Sequence, residues 1–115
     1  MLSYPANDFV IGSDKEVRLE HGTVTPDAAN VLKRGTVLAY DSDADKYAVL
    51  TAANVAKAQA ILAEDVEAGS EDVVAPVYVG GDFIENGLTA AVELTAAAKD
   101  NLKTHGIYLT NGVTA

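Results

Sequence analysis

The chain has 115 residues, 49% of them apolar, and 17 acidic against 8 basic side chains set its formal charge at −9. That length makes one domain with one modest core, thinned because much of the apolar fraction is alanine and the aromatic anchors are only two Phe and five Tyr. The acidic balance argues against nucleic acid and anionic membranes, which are held by Lys and Arg, and the absence of cysteine excludes disulfides, thiolate zinc sites and cysteine nucleophiles.

Residues 1–14 read as an N-terminal arm, and residues 15–115 as a single β-rich domain. Met1-Leu2-Ser3-Tyr4-Pro5 lacks the charged start and apolar stretch of a signal peptide. No run approaches the roughly 20 apolar residues of a membrane span. The expectation is a protein made and assembled in a cytoplasm. Pro5 and Gly12 bracket Phe9-Val10-Ile11, an apolar triplet that is either a short strand of the home sheet or a docking segment.

Glu16–Glu20 alternates polar and apolar residues, the pattern of a half-buried strand, and His21-Gly22 reads as a turn. Thr25-Pro26-Asp27 opens like a helix, with a capping Thr and Pro at the first helical position, and Lys33-Arg34-Gly35 closes like one. Asn30 and Val31 are weak helix formers between them, so a single helical turn near 26–29 followed by extended chain from Val31 is expected. Thr36–Tyr40, Tyr47–Leu50 and Ala60–Val66 are short apolar runs separated by Asp, Ser and Gly clusters, which read as strands. Between them, Thr51 to about Lys57 reads as a loop or short helix.

Val73–Val79 is apolar on both faces. Pro76 cannot donate to a ladder, which predicts an edge position or a bulge. Two readings suit the double apolar face: a second subunit covers one side, or this is an ordinary core strand. Gly80-Gly81 lets two backbones approach or the chain bend, and Asn86-Gly87 marks a turn. Thr95–His105 is the clearest helix, with Thr95 as cap, Leu94, Ala98, Leu102 and His105 on one stripe, and Gly106 at its end. Ile107-Tyr108-Leu109 then forms a last short strand.

No constellation for chemistry emerges. Asp41, Asp43 and Asp45 echo a calcium loop, but Lys46 stands where glycine is required and Ala52 where the bidentate Glu belongs; a solvated acidic turn is expected. His21 and His105 lack metal-spaced partners, and His105 suits a helix C-terminus. No phosphate loop or nucleophile elbow exists. No cofactor and no metal is expected.

Three pieces, Leu32-Lys33-Arg34-Gly35-Thr36-Val37-Leu38, Ala60-Ile61-Leu62-Ala63-Glu64-Asp65-Val66 and Val77-Tyr78-Val79-Gly80-Gly81-Asp82-Phe83, followed by a helix and Gly106-Ile107-Tyr108-Leu109, stand in an order and spacing that resembles the head decoration proteins of lambda-like tailed bacteriophages. The resemblance implies a mainly β (α+β) fold, a compact β-clip-like partial barrel with one short C-terminal helix and an extended N-terminal arm. It implies a structural, non-enzymatic protein: a homotrimer on the outer surface of the expanded head, at three-fold and quasi-three-fold sites, cementing the major capsid protein against packaged-DNA pressure. Its place would be the virion, with assembly in the bacterial host cytoplasm. The docking role would fall on the arm, through Tyr4, Pro5, Phe9, Val10 and Ile11, and the two-faced strand offers Val74, Pro76 and Tyr78 as a possible trimer interface. Two other readings stand beside it. One is a cytoplasmic β-barrel binding or adaptor module; the other is an enzyme, which would need a carboxylate pair such as Asp82 and Glu85 in a cleft.

Overall fold

The computed structural model describes residues 17–84 and 87–110. The chain is mainly β, with one short helix. Strands β1 (Arg18–Val24), β2 (Val37–Asp41), β3 (Lys46–Val49), β4 (Ala58–Leu62) and β5 (Val73–Ile84) pair in the order β1-β3-β2-β4-β5. β5 returns to pair with β1 from Val73 to Gly80, so the sheet closes into a five-stranded barrel. A sixth strand, β6 (Ile107–Thr110), lies parallel to the far half of β5, from Gly81↔Ile107 to Ile84↔Thr110. Parallel neighbours need a crossover, and helix α1 (Ala96–Thr104) lies within it.

Strand residues point alternately to opposite faces, and β2, β4 and β5 use both. Leu38, Ala60, Leu62, Ala75 and Val77 join Val24, Leu32 and Val66 inside the barrel. Val37, Ala39, Ala58, Ile61, Tyr78 and Phe83 belong to a second core with Ala98 and Leu102 of α1 and Ile107 of β6. The barrel wall is thus sandwiched between two cores within one chain. That explains the double apolar face of β5 at Val77 and Tyr78, where its own helix side covers the outer surface and no second subunit is required.

Pro76 sits where its missing donor does no harm. Its carbonyl accepts from Ala63 N–H at 3.0 Å, just past the end of β4. Backbone N and C=O of one strand residue point the same way, so the proline nitrogen also faces this region beyond the ladder rather than β1.

Two expectations fail locally. His21-Gly22 is not a turn: both lie in β1, opposite Pro76 and Ala75, and Arg18–His21 are exposed rather than half-buried. Gly22 is there because the Tyr47 ring lies against the strand. A Cβ on Gly22 would come within 2.7 Å of that ring. No helical turn forms at 26–29 either. The Asp27 carboxylate accepts from the N–H groups of Ala29 and Asn30 at 2.8 and 3.0 Å, closing an Asx turn in place of a helical one.

The remaining elements follow their local chemistry. A 3-10 turn at Val55–Lys57 leads directly into β4. Val66 lies beyond β4 and makes an isolated bridge to Leu32. Thr95 caps α1 by accepting from Ala98 N–H at 3.1 Å, while Ala98 and Leu102 are buried. Asn101 ties the helix to the barrel by donating to the Ala58 carbonyl at 2.9 Å.

Candidate functional site

The three residues of the possible trimer interface do not share one surface. Val74 is 71% exposed, Pro76 is half-buried, and Tyr78 is only 5% exposed. Tyr78 turns into the helix-side core, where its ring meets Phe83 at 5.4 Å between centroids. Its hydroxyl accepts from Arg34 Nη2 at 3.0 Å. What β5 presents outward is its first two residues, Val73 (39% exposed) and Val74. They line a groove of about 450 Å³ together with Pro26, Glu64, Glu67 and Glu71.

Charged contacts fasten the loops around that groove. Asp65 accepts from Arg34 N–H at 2.8 Å and lies 3.5 Å from Lys33 Nζ. These hold its carboxyl below the ordinary value of 3.8, the backbone hydrogen bond foremost. Asp72 takes Lys46 Nζ at 3.1 Å and the Thr25 hydroxyl at 2.9 Å, and it too is lowered, chiefly by Lys46. Both pairs are exposed, so they order the loops more than they stabilise the fold.

A second concavity opens at the barrel mouth. β1 and β3 are in register only at Val24↔Tyr47, and toward Arg18 the seam widens into a cleft of about 370 Å³. Glu20, His21, Gly22 and Thr23 from β1, Tyr40 from β2, Asp45 and Tyr47 from the β2–β3 hairpin and Gln59 from β4 line it. The Tyr40 and Tyr47 rings stand 5.0 Å apart at 50°. Asp45 has φ 56, which aims its carboxylate back to accept a short hydrogen bond from the Tyr40 hydroxyl.

That bond favours the neutral phenol, and it pushes the Tyr40 pKa from 10.0 up to about 12. A raised folded pKa means the associated stability is present below pH 10 and lost as pH climbs from 10 through 12. In an alkaline titration followed by tyrosinate absorbance, Tyr40→Phe is expected to remove one phenol's amplitude from the phase near pH 12. An unchanged late phase would show that the Asp45 bond does not control Tyr40.

The other candidates separate. Asp41 accepts from the N–H groups of Asp43 and Ala44 at 3.0 and 3.3 Å, so Asp41 and Asp45 serve the hairpin turn. Among the described residues, no group of three or more His, Cys, Asp or Glu side chains is placed to hold a metal. His105 caps α1, its Nδ1 2.9 Å from the Asn101 carbonyl, and His21 is exposed on β1. Asp82 is half-buried with Oδ1 unpartnered; Glu85 lies outside the described residues. So do Tyr4, Pro5, Phe9, Val10 and Ile11 of the arm. Composition and spacing missed the barrel mouth, because its residues come from four strands and only the register brings them together.

The family described as bacteriophage lambda head decoration protein D matches residues 3–107. The chain belongs to that family. The head decoration family consists of structural proteins, so the general role of this chain is capsid decoration and its place is the virion capsid. No curated protein matches the chain. No helix among the described residues is long and apolar enough to cross a membrane.

Proposed function

We propose that this head decoration protein is a cement protein. It binds as a homotrimer to the outside of the expanded head, at three-fold and quasi-three-fold sites, and braces the major capsid protein against the pressure of packaged DNA. The observation that carries the proposal is the family match over residues 3–107. The exposed Val73-Val74 pair on β5 supports a subunit contact on the body, with Pro76 at its margin. Large apolar side chains standing alone at a surface are ordinary; two adjacent ones beside a groove favour a partner there.

Residues 1–14 serve as the docking arm and residues 15–115 as the body. Tyr4, Pro5, Phe9, Val10 and Ile11 supply the apolar contacts of the arm, which pairs as an added strand with capsid chain. A single short arm binds weakly, because ordering it costs about 1–2 kcal/mol per residue. Three arms on one trimer gain roughly 10²–10⁴ in avidity, since docking of the first raises the effective concentration of the others.

The experiment mixes wild-type protein and a variant lacking residues 1–11 with bare expanded capsids and counts bound copies by sedimentation. Light scattering reports the oligomeric state in parallel. The truncated variant is expected to remain a trimer and to lose nearly all capsid occupancy. Undiminished occupancy would place the anchor on the body, and a monomeric wild-type protein would overturn the trimer.

A further inference from the structure

We infer that the barrel mouth is a recognition site for a basic side chain, lysine or arginine, carried on an extended protein segment. The inference is independent of capsid docking through the arm. Its starting point is the incomplete seam between β1 and β3. β1 is paired with β5 from Arg18 to Val24, whereas on its other edge the ladder to β3 is confined to Val24↔Tyr47 and the bond from Thr25 N–H to the Tyr47 carbonyl.

The register says which backbone groups are left over. The polar backbone groups of Pro76 face away from β1, so those of its partner His21 face away from β5, into the seam. By alternation the same holds for Leu19 and Thr23, and the Thr25 bond to Tyr47 fits this phase. An extended backbone laid along β1 therefore meets donors and acceptors at Leu19, His21 and Thr23.

The lining supplies the charge and shape preference. Two tyrosine rings, 5.0 Å apart and tilted by 50°, border the cleft, and Gly22 lets the Tyr47 ring lie down against β1. The carboxylates of Glu20 and Asp45 border the cleft beside His21, and among the described residues neither a lysine nor an arginine does. Aromatic faces beside carboxylates attract an organic cation by ring quadrupole and charge together. A metal ion, in contrast, wants converging oxygens rather than rings. The volume of about 370 Å³ accepts one long side chain and its adjoining backbone. Barrel mouths are a recurrent place for such sites.

The test uses isotope-labelled full-length protein and NMR titration with three probes: a blocked Val-Arg-Val tripeptide, the same peptide with citrulline in place of arginine, and methylguanidinium. Citrulline keeps the shape and removes the charge; methylguanidinium keeps the charge and removes the backbone. Saturable shifts are expected at Glu20, His21, Gly22, Tyr40, Tyr47 and Gln59 with the arginine peptide, and about tenfold or greater weakening with each of the other two probes. Glu20→Gln and Asp45→Asn should each weaken the arginine peptide about threefold to tenfold. Asn tolerates the positive φ at position 45, and a dispersed amide spectrum verifies that each variant is folded. Equal binding of the citrulline peptide would overturn the charge recognition, and equal binding of methylguanidinium would overturn the peptide backbone's part. Shifts concentrated at Glu64–Asp72 would move the site to the other groove and overturn the assignment.

Discussion

Phe83→Ala is expected to lower the unfolding free energy by about 3–5 kcal/mol. Among the described residues, Phe83 heads the largest fully buried side chains. It packs against the Tyr78 ring, 5.4 Å away between centroids, in the core shared by the barrel wall, α1 and β6. Truncation removes apolar area and leaves a cavity that the wall strands cannot collapse into, because their other faces already pack the barrel interior. Urea denaturation at fixed protein concentration should show a lower midpoint with an unchanged slope. A loss below about 1 kcal/mol would indicate that the helix-side core is not part of the cooperative unit. Leu102→Ala, on the helix side of the same core, should lose about 2–5 kcal/mol.

Gly81→Ala is expected to destabilise the protein by about 1–3 kcal/mol for the backbone conformation alone. Gly81 has φ +134, and an added Cβ would stand 3.2 Å from Val17 Cα and 3.3 Å from Phe83 Cε2. This residue is where β5 leaves its last pairing with β1, Arg18↔Gly80, and takes up β6 at Gly81↔Ile107. Gly69→Ala is the matched control: nothing lies within 4 Å of its added Cβ. It should be neutral or stabilising by about 0.4–1 kcal/mol through the unfolded chain. Thermal melts of the two variants side by side decide the matter, and equal stabilities would refute the role given to position 81.

Much of the architecture was readable where local chemistry and tertiary packing agree. Thr95, Ala98, Leu102 and Gly106 announce α1 as cap, buried stripe and C-terminal glycine, and the structure uses them so. The hairpin between β2 and β3 follows from its aspartates. The errors arose where a distant residue decides the local outcome. Gly22 looks like punctuation until Tyr47, 25 positions on, lays its ring over the strand. Thr25-Pro26 looks like a helix start until Asp27 captures the two amides that a helical turn would use. The double apolar face of β5 was legible as a pattern. Its cause was ambiguous, because a partner subunit and a second core within the chain leave the same imprint on a strand.

The candidate surfaces were less legible than the fold. Tyr78 falls on the same strand face as Val74 and Pro76, as an interface residue should, yet Phe83 and Arg34 enclose it. Position along a strand says which side a residue points to, not what lies on that side. The barrel mouth had no linear signature at all, since Glu20, Tyr40, Tyr47 and Gln59 meet only through the pairing order β1-β3-β2-β4.

The pairing of β1 with β5 also fixes how the body carries load. Tension drawn through the chain before Val17 enters at Arg18 and runs along the axis of β1. There the strand lies antiparallel to β5, in register from Leu19↔Tyr78 to Val24↔Val73 after a shift next to Arg18↔Gly80. Such a pull shears the paired positions together, so their hydrogen bonds share the force; pulling β1 sideways would open them one after another like a zipper. β5 then passes the force to both cores, since it pairs with β1, β4 and β6 and contributes side chains to each core. The body is mechanically strong along β1 and weak across it, so the direction in which a tether leaves Arg18 sets the force it can bear.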